Sequence, residues 1–394
     1  MKETIIHTAL SCMLLLGICG CSKDCTECQD APQPPVPALL DLNITLPTQA
    51  DESDIPERER VKELRLILID KSSGKVEYNN TLDLQSLSPS VDDDPRFRYS
   101  YHIRLESTVG AKCIYALANA EHLIGDIATE EEGARLMENL DKIELSEDIY
   151  ALNNGSNIPI VSRRYEVELG GQSSTGEAIT EQKAEIVMAY AATKWEFTFE
   201  NKFGDPKDSG DSGNGVADGT ESTDKNIDII GWQITSVAKK SYLVPHMKDD
   251  AWEKLIELGG TTNSDVWVID YDLPANTTHE VYDLDYQEKE PLDYHESFPD
   301  PTTYYIHESK NIGTSTEQEY LLSLKIKPRG SENNPPMILT GKLPNLKSLV
   351  RGTHVQVHVT LRNMPDPGDN TLEVRVKTWI NDEPVNGTWE EVTQ

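Results

Sequence analysis

No apolar run in this 394-residue chain is long enough to cross a bilayer, so a membrane-spanning helix is excluded. Basic residues are scarce: 36 Lys and Arg face 68 Asp and Glu, for a formal net charge of −32. A surface of that sign repels phosphate, which excludes nucleic acid as a partner. Cysteine is sparse too, at six. Cys12 and Cys19 lie in an apolar leader and Cys21 ends it. Cys25 and Cys28 form Cys-Thr-Glu-Cys, with no second pair for a zinc site and no βαβ context for a redox motif, so they read as a tether disulfide or idle thiols. Cys113, in an apolar strand, reads as a small buried hydrophobe. With so few disulfides, the fold must rest on its core.

Catalytic signatures are missing as well. Gly171 to Gly176 is spaced like a phosphate loop, but Glu177 stands where the loop needs Lys, and a carboxylate repels phosphate. His279, His295 and His307 each precede a Glu but lack the second His of a zinc helix. No Gly-x-Ser-x-Gly elbow occurs, and Asp and Glu are too frequent for any one carboxylate pair to carry a signal. His354 and His358 share a strand face and read as exposed rather than metal-bound. The loop 204–224, rich in Gly, Ser and Asp, lacks the Asp-x-Asp-x-Asp-Gly pattern of a calcium loop. The expectation is a protein with no metal, no cofactor and no enzyme activity.

What is present begins at residues 14–21, Leu-Leu-Leu-Gly-Ile-Cys-Gly-Cys. A short apolar segment follows Lys2 (Glu3 is out of place there) and ends in small Gly20 and then Cys21. This layout predicts a lipoprotein signal peptide over 1–20, with a diacylglyceryl group joined to Cys21 as the mature N-terminus. At ~0.8 kcal/mol per buried methylene, two or three acyl chains hold where one would not. Residues 21–37 then form a lipidated tether, Pro-rich from Pro32 and therefore semi-rigid.

Beyond the tether, 37% hydrophobic residues describe a folded chain, long enough for two domains. In 38–47, Leu40, Leu42, Ile44 and Leu46 alternate with Asp41, Asn43 and Thr45, which reads as a half-buried strand. Further strands are expected at 61–70, 97–105, 113–120 (apolar throughout, hence buried on both faces) and 163–169. The second half adds 194–200, 227–238, 265–270, 303–307, 320–327, 353–362 and 371–380. Helices are expected only at 130–143 and near 250–258. Short strands with Gly and Pro turns predict an all-β protein of β-sandwiches, dividing near Tyr190 into domains 38–190 and 191–394. Trp195 and Trp232 are in phase with apolar neighbours and belong to cores, whereas Trp389 is not. An exposed row of Trp252, Trp267, Tyr271, Tyr304 and Tyr305 would mark a glycan-binding protein, and burial of these residues a structural one.

The order of pieces resembles the fimbrillins, the type V pilus subunits of Bacteroidales. The lipobox, first alternating strand and Arg-bearing acidic loop are followed by Val61 to Asp70 with its Gly turn, and by Tyr-Ala-Leu-Ala-Asn-Ala at 115–120. Asn-Ile-Pro-Ile at 157–160 is similar to the family's Ile-Pro-Met-Ser-Gly, and 191–199 to its strand opening the second domain. Ser241 to Pro245, 304–311, 351–361 and 374–379 match later strands. The resemblance implies two tandem transthyretin-like sandwiches in a surface-exposed outer-membrane lipoprotein of a fimbrium. Its partners would be other subunits by β-strand addition, the outer membrane through lipid, and a host or bacterial surface receptor.

The resemblance also implies that an Arg-specific protease cuts after Arg58 or Arg60 and frees the strand 38–47. Loss of Leu40, Leu42, Ile44 and Leu46 at ~1.5–3 kcal/mol each removes ~6–12 kcal/mol of burial, comparable to a domain's whole stability. A strand from the next subunit would refill the groove and, repeated head to tail, build a filament. The strand is expected at a sheet edge, ahead of a protruding loop 48–60. The weakly apolar C-terminus 386–394, with Trp389 and Val392, is the candidate donor. The alternative readings are an anchor or tip adhesin that keeps its strand, with Arg58 and Arg60 as solvated loop charges, and an outer-membrane glycan-binding lipoprotein.

Overall fold

The structure, a computed structural model, describes residues 36–47, 55–84, 87, 90, 99–150, 154–170, 181–202, 227–235, 240–246, 252, 261–262, 297–299, 303–308, 321–328, 336–342, 348–361, 371–378 and 392–393. The chain divides into two compact units, Met1–Val36 and Pro37–Gln394. Cys21, Cys25, Cys28, Trp267, Tyr271 and Trp389 lie outside the described residues, as does the expected strand 265–270. All that follows concerns the unit Pro37–Gln394.

Among the described residues the fold is all-β, a β-sandwich architecture with two short helices. The first half holds β1 (Pro37–Leu46), β2 (Leu64–Asp70), β3 (Val76–Leu82), β4 (Tyr99–Thr108), β5 (Gly110–Ala118), β6 (Glu144–Ser146), β7 (Ile160–Ser162), β8 (Tyr165–Leu169) and β9 (Glu181–Tyr190). Helices α1 (Glu121–Ile124) and α2 (Gly133–Asp141) lie between β5 and β6. One sheet runs β3-β2-β5-β7-β9-β1-β4, with β8 paired to β5. It wraps around its core because two strands change partners along their length. β9 pairs in parallel with β1 through 181–187 and antiparallel with β7 through 188–190. β5 also changes partner, meeting β8 through 110–114 and β7 through 117–118, antiparallel to both.

β1 is therefore not at a sheet edge, where the strand-exchange expectation placed it, but between β4 on one side and β9 on the other. Alternation reports that one face of a strand is buried; it says nothing of what fills the two edges. Both neighbours here come from much later in the chain.

The second half contributes β10 (Thr193–Asn201), β11 (Ile227–Thr235), β12 (Lys240–Tyr242), β13 (Thr261–Thr262), β14 (Ser297–Pro299), β15 (Tyr304–Ile306), β16 (Leu321–Pro328), β17 (Met337–Lys342), β18 (Ser348–Leu349), β19 (Thr353–Leu361), β20 (Thr371–Thr378) and β21 (Val392–Thr393). Its sheets are β14-β10-β19-β20-β21, with β15 on β10, β11-β16-β17 and the two-stranded β13-β18. β10 has a parallel neighbour, β19, and antiparallel ones, β14 and β15. Each half thus opens on a strand that has both parallel and antiparallel partners.

Buried apolar residues form two clusters. The first joins Leu40, Leu42, Ile44 and Leu46 to Leu66, Ile67, Leu68, Ile114 and Tyr115 and to α2 through Leu136 and Leu140. Leu243, Val244, Trp252, Tyr305 and Val350 of the second half also enter it. The second is built on Trp195, Phe197, Phe199, Trp232 and Tyr304, with Phe197 and Trp232 ring centroids 4.1 Å apart. A two-strand sheet of β6 and β12 stitches the halves together.

Candidate functional site

The candidate site is β1 together with the segment that follows it. Leu40, Leu42, Ile44 and Leu46 are each 0% exposed. Asp41 and Thr45, on the other face, are also buried, so β1 is covered on both sides. Polar pairs hold its flanks: His102 Nε2 lies 2.9 Å from Asp41 Oδ1, and Arg104 reaches Glu181 on β9 at 3.1 Å. Removing β1 would unpair β4 and β9 at once and expose a groove four side chains long.

The segment after β1 is described from Ile55 onward. Residues Glu57–Glu59 form a 3-10 turn, and every carbonyl from 57 to 60 is engaged. The Glu57 carbonyl accepts from Asn157 Nδ2 at 2.6 Å, and the Arg58 carbonyl from the Ile158 amide at 2.7 Å. The Glu59 carbonyl accepts from the Tyr190 hydroxyl at 2.8 Å, and the Arg60 carbonyl from Asn119 Nδ2 at 2.9 Å and Asn157 Nδ2 at 3.1 Å.

The two arginines are neither protruding nor free in solvent. Arg58 donates to the Ile149 carbonyl at 2.8 Å and the Ser156 carbonyl at 3.1 Å, and its guanidinium sits 5.2 Å from the Tyr305 ring centre. Arg60 donates from Nε to the Ile55 carbonyl at 3.1 Å. Both are half-buried. The expected protruding loop is, at least from 55 to 60, a docked turn. The reason is satisfaction: four carbonyls and two guanidinium groups find partners on the protein and need no water.

Glu59 lies at the centre, 4% exposed. Its Oε1 accepts from the Tyr305 hydroxyl at 2.8 Å and lies 3.0 Å from Lys194 Nζ. Burial and the Glu59 carboxylate push the Tyr305 phenol far above its ordinary value, so it stays a donor. Asn119, Asn157, Tyr190, Lys194 and Tyr305 escaped the sequence as site residues. Asn119 and Asn157 left a trace only as members of the stretches 115–120 and 157–160, and Asn119 adopts φ 55°, a conformation that Asn tolerates.

Two further polar clusters are buried nearby. Lys112, 0% exposed, is directly opposite Asp70 in the β2–β5 ladder and bonds it, with Glu77 Oε1 at 3.1 Å and Thr108 Oγ1 at 2.8 Å. At the junction, Arg351 pairs with Glu308, both side chains 0% exposed, and donates to the carbonyls of Leu243 at 2.7 Å and Tyr242 at 2.6 Å.

The remaining expectations fall as follows. Trp195, Trp232, Trp252, Tyr304 and Tyr305 are all buried. Cys113 is buried, and burial together with Glu166 pushes its thiol up to about 11. His354 is buried rather than exposed, because Glu196 on β10 stands 2.9 Å away; His358 lies 3.3 Å from Glu200. Val392 pairs opposite Leu372 in the short β21. Among the described residues, no three His, Cys, Asp or Glu are grouped to hold a metal ion, and no helix is long and apolar enough to cross a membrane.

A candidate cell adhesion protein from Parabacteroides distasonis matches with a TM-score of 0.51 and 11% identity, over 89% of this chain and 99% of that one. The tip fimbrial protein Mfa3 from Porphyromonas gingivalis, truncated at its C-terminus, matches at 0.45 and 11% identity over 87% of this chain and 100% of its own. The fimbrial anchor protein Mfa2 from the same organism matches at 0.37 and 11%, over 87% and 98%. No family model and no curated protein sequence matches the chain.

Proposed function

We propose that this chain is a structural component of a cell-surface fimbrium, exported as a lipoprotein and held on the outer membrane through Cys21. The observation that carries the reading is β1, a single strand that closes the first sheet between β4 and β9 with four fully buried side chains. Cleavage after Arg58 or Arg60 would free it. A strand from a neighbouring subunit, running antiparallel to β4 and parallel to β9, would satisfy both vacated edges and the groove. The C-terminal segment with Trp389 and Val392 is the candidate donor.

The docked turn favours a second reading, in which β1 stays in place and the chain serves as tip or anchor. Glycan binding has less support, because Trp252, Tyr304 and Tyr305 are buried and offer no stacking face.

N-terminal sequencing of protein recovered from the cell surface separates the readings. A start at Glu59 or Val61 means strand exchange; a blocked, lipidated Cys21 means a retained strand. Cys21→Ser should release the protein from the membrane. A variant that stays bound, while a Cys25/Cys28 double substitution falls off, would sink the lipid-anchor reading.

A further inference from the structure

Between Leu46 and Arg58 the chain carries no Lys or Arg. An Arg-specific protease therefore has only the Arg58–Glu59 and Arg60–Val61 bonds with which to free β1 before the start of β2. Proteases bind substrate as an extended strand whose backbone pairs with the cleft. Here the segment is a tight turn, and all four carbonyls are already engaged within the protein.

The partners of the turn come from two sources. Asn119, Asn157, Ile158 and Tyr190 belong to the first half and are in place once its core forms. The partners of the Glu59 carboxylate, Lys194 on β10 and Tyr305 on β15, belong to the second half, as does the ring under Arg58. We propose that the second half of the chain is a lock on these two bonds: Lys194 and Tyr305, acting through Glu59 and Arg58, hold 57–60 in a form that no protease cleft can take up. The inference deepens the reading of β1 as the strand whose retention or release decides the subunit's role.

Two consequences follow from the geometry. While the second half is unfolded the turn keeps its carbonyl partners but lacks those of the Glu59 carboxylate and the Arg58 guanidinium, so it opens more often; docking of that half completes the protection. In the folded protein, cleavage tracks the fraction of molecules in which the turn has opened locally. Any partner that pulls β10 and β15 away from the turn would raise that fraction; one that clamps them would lower it. Release of β1 is then under the control of residues far along the chain.

The test uses the full chain, an Arg-specific endoprotease and intact-mass detection under native conditions. The unaltered protein should resist cutting after Arg58 and Arg60. Tyr305→Phe removes the hydroxyl bond to Glu59, and Lys194→Met removes an ammonium that faces both Glu59 and, at 3.6 Å, Glu196, so each should speed cutting there by about tenfold or more. Cutting after Arg135, whose side chain is 66% exposed on α2, should not change. Rapid cutting of the unaltered protein at Arg58 or Arg60 overturns the lock. So does an unchanged rate in both variants, or a parallel rise at Arg135, which would mean global unfolding. If neither variant folds, amide exchange of the unaltered protein decides: Ile158, bonded to the Arg58 carbonyl, must be protected, and fast exchange overturns the proposal. None of these outcomes touches the membrane-release test of Cys21, so the lock can fail while the fimbrial reading stands.

Discussion

Lys112 shows how much one side chain can decide. It sits at 0% exposure in an otherwise apolar strand, and its ammonium is tolerated because Asp70, Glu77 and Thr108 surround it. Burial alone would raise the carboxyl of Asp70, but Lys112, Ser72 and Ser73 donate to it and hold it well below the usual range. The same balance, with Ser107, Thr108 and Lys112 as donors, lowers Glu77. Removing one partner of such a group costs about 3–5 kcal/mol, since the others are left buried and unpaired. Lys112→Met should lower stability by that amount at pH 7, read from urea denaturation. The sign of the pH dependence follows from the depressed folded-state values. The stabilisation is complete above the unfolded carboxylate range near 4 and is lost as pH falls below it. The penalty of Lys112→Met should therefore shrink in acid, where Asp70 and Glu77 can become neutral. Glu196 adds to the same window: burial pushes it up, but His354, Lys194 and Gln356 outweigh burial and hold it at about 2, against an ordinary 4.5.

Among the elements, α2 shows a local preference overruled by packing. The sequence predicts a helix over 130–143, but it runs only from Gly133 to Asp141. Its start is set by a close approach: a Cβ on residue 133 would lie 2.4 Å from Ile69 Cγ2 and 2.8 Å from the Gly74 carbonyl oxygen. Alanine favours a helix over glycine by about 1 kcal/mol, yet Gly133→Ala should destabilise by about 1–3 kcal/mol, because backbone cannot yield as a side chain does. Chemical denaturation of the two proteins measures the difference. The strands β1, β4, β10 and β19 were legible because apolar side chains alternate with polar ones along each. β9 was not: its first residues, Glu-Gln-Lys-Ala-Glu, alternate only between exposed and half-buried, and the buried run begins at Ile186. β3 shows no fully buried residue, so its Val-Glu-Tyr-Asn-Asn-Thr-Leu gave no pattern to read.

On the scale of the whole molecule, the two apolar clusters are joined into one compact unit by a polar hinge-pin. Arg351 reaches Glu308 and the carbonyls of Tyr242 and Leu243, and β12 pairs with β6 of the first half. Five apolar residues of the second half also fill the first core. Unfolding of Pro37–Gln394 should therefore be a single cooperative transition. Arg351→Met strands the Glu308 carboxylate at 0% exposure, which costs about 3–5 kcal/mol, and should split that transition into two. Calorimetry resolves one peak from two; a single peak in the variant would mean that apolar contacts alone couple the halves.

The sequence by itself determined the all-β class, the apolar face of β1, the core placement of Trp195 and Trp232, and the expectation of a lipid-bearing Cys21. These depend on composition and on period-two patterns, which are local. Tertiary structure alone decided that β1 lies inside a sheet, that Arg58 and Arg60 are held rather than free, and that Glu59 meets Lys194 and Tyr305. Each of these depends on which distant segment fills an edge or accepts a bond. Glu59 and Tyr305 are 246 positions apart, and no local pattern encodes a partner at that separation; only the folded sheet brings the two within 2.8 Å.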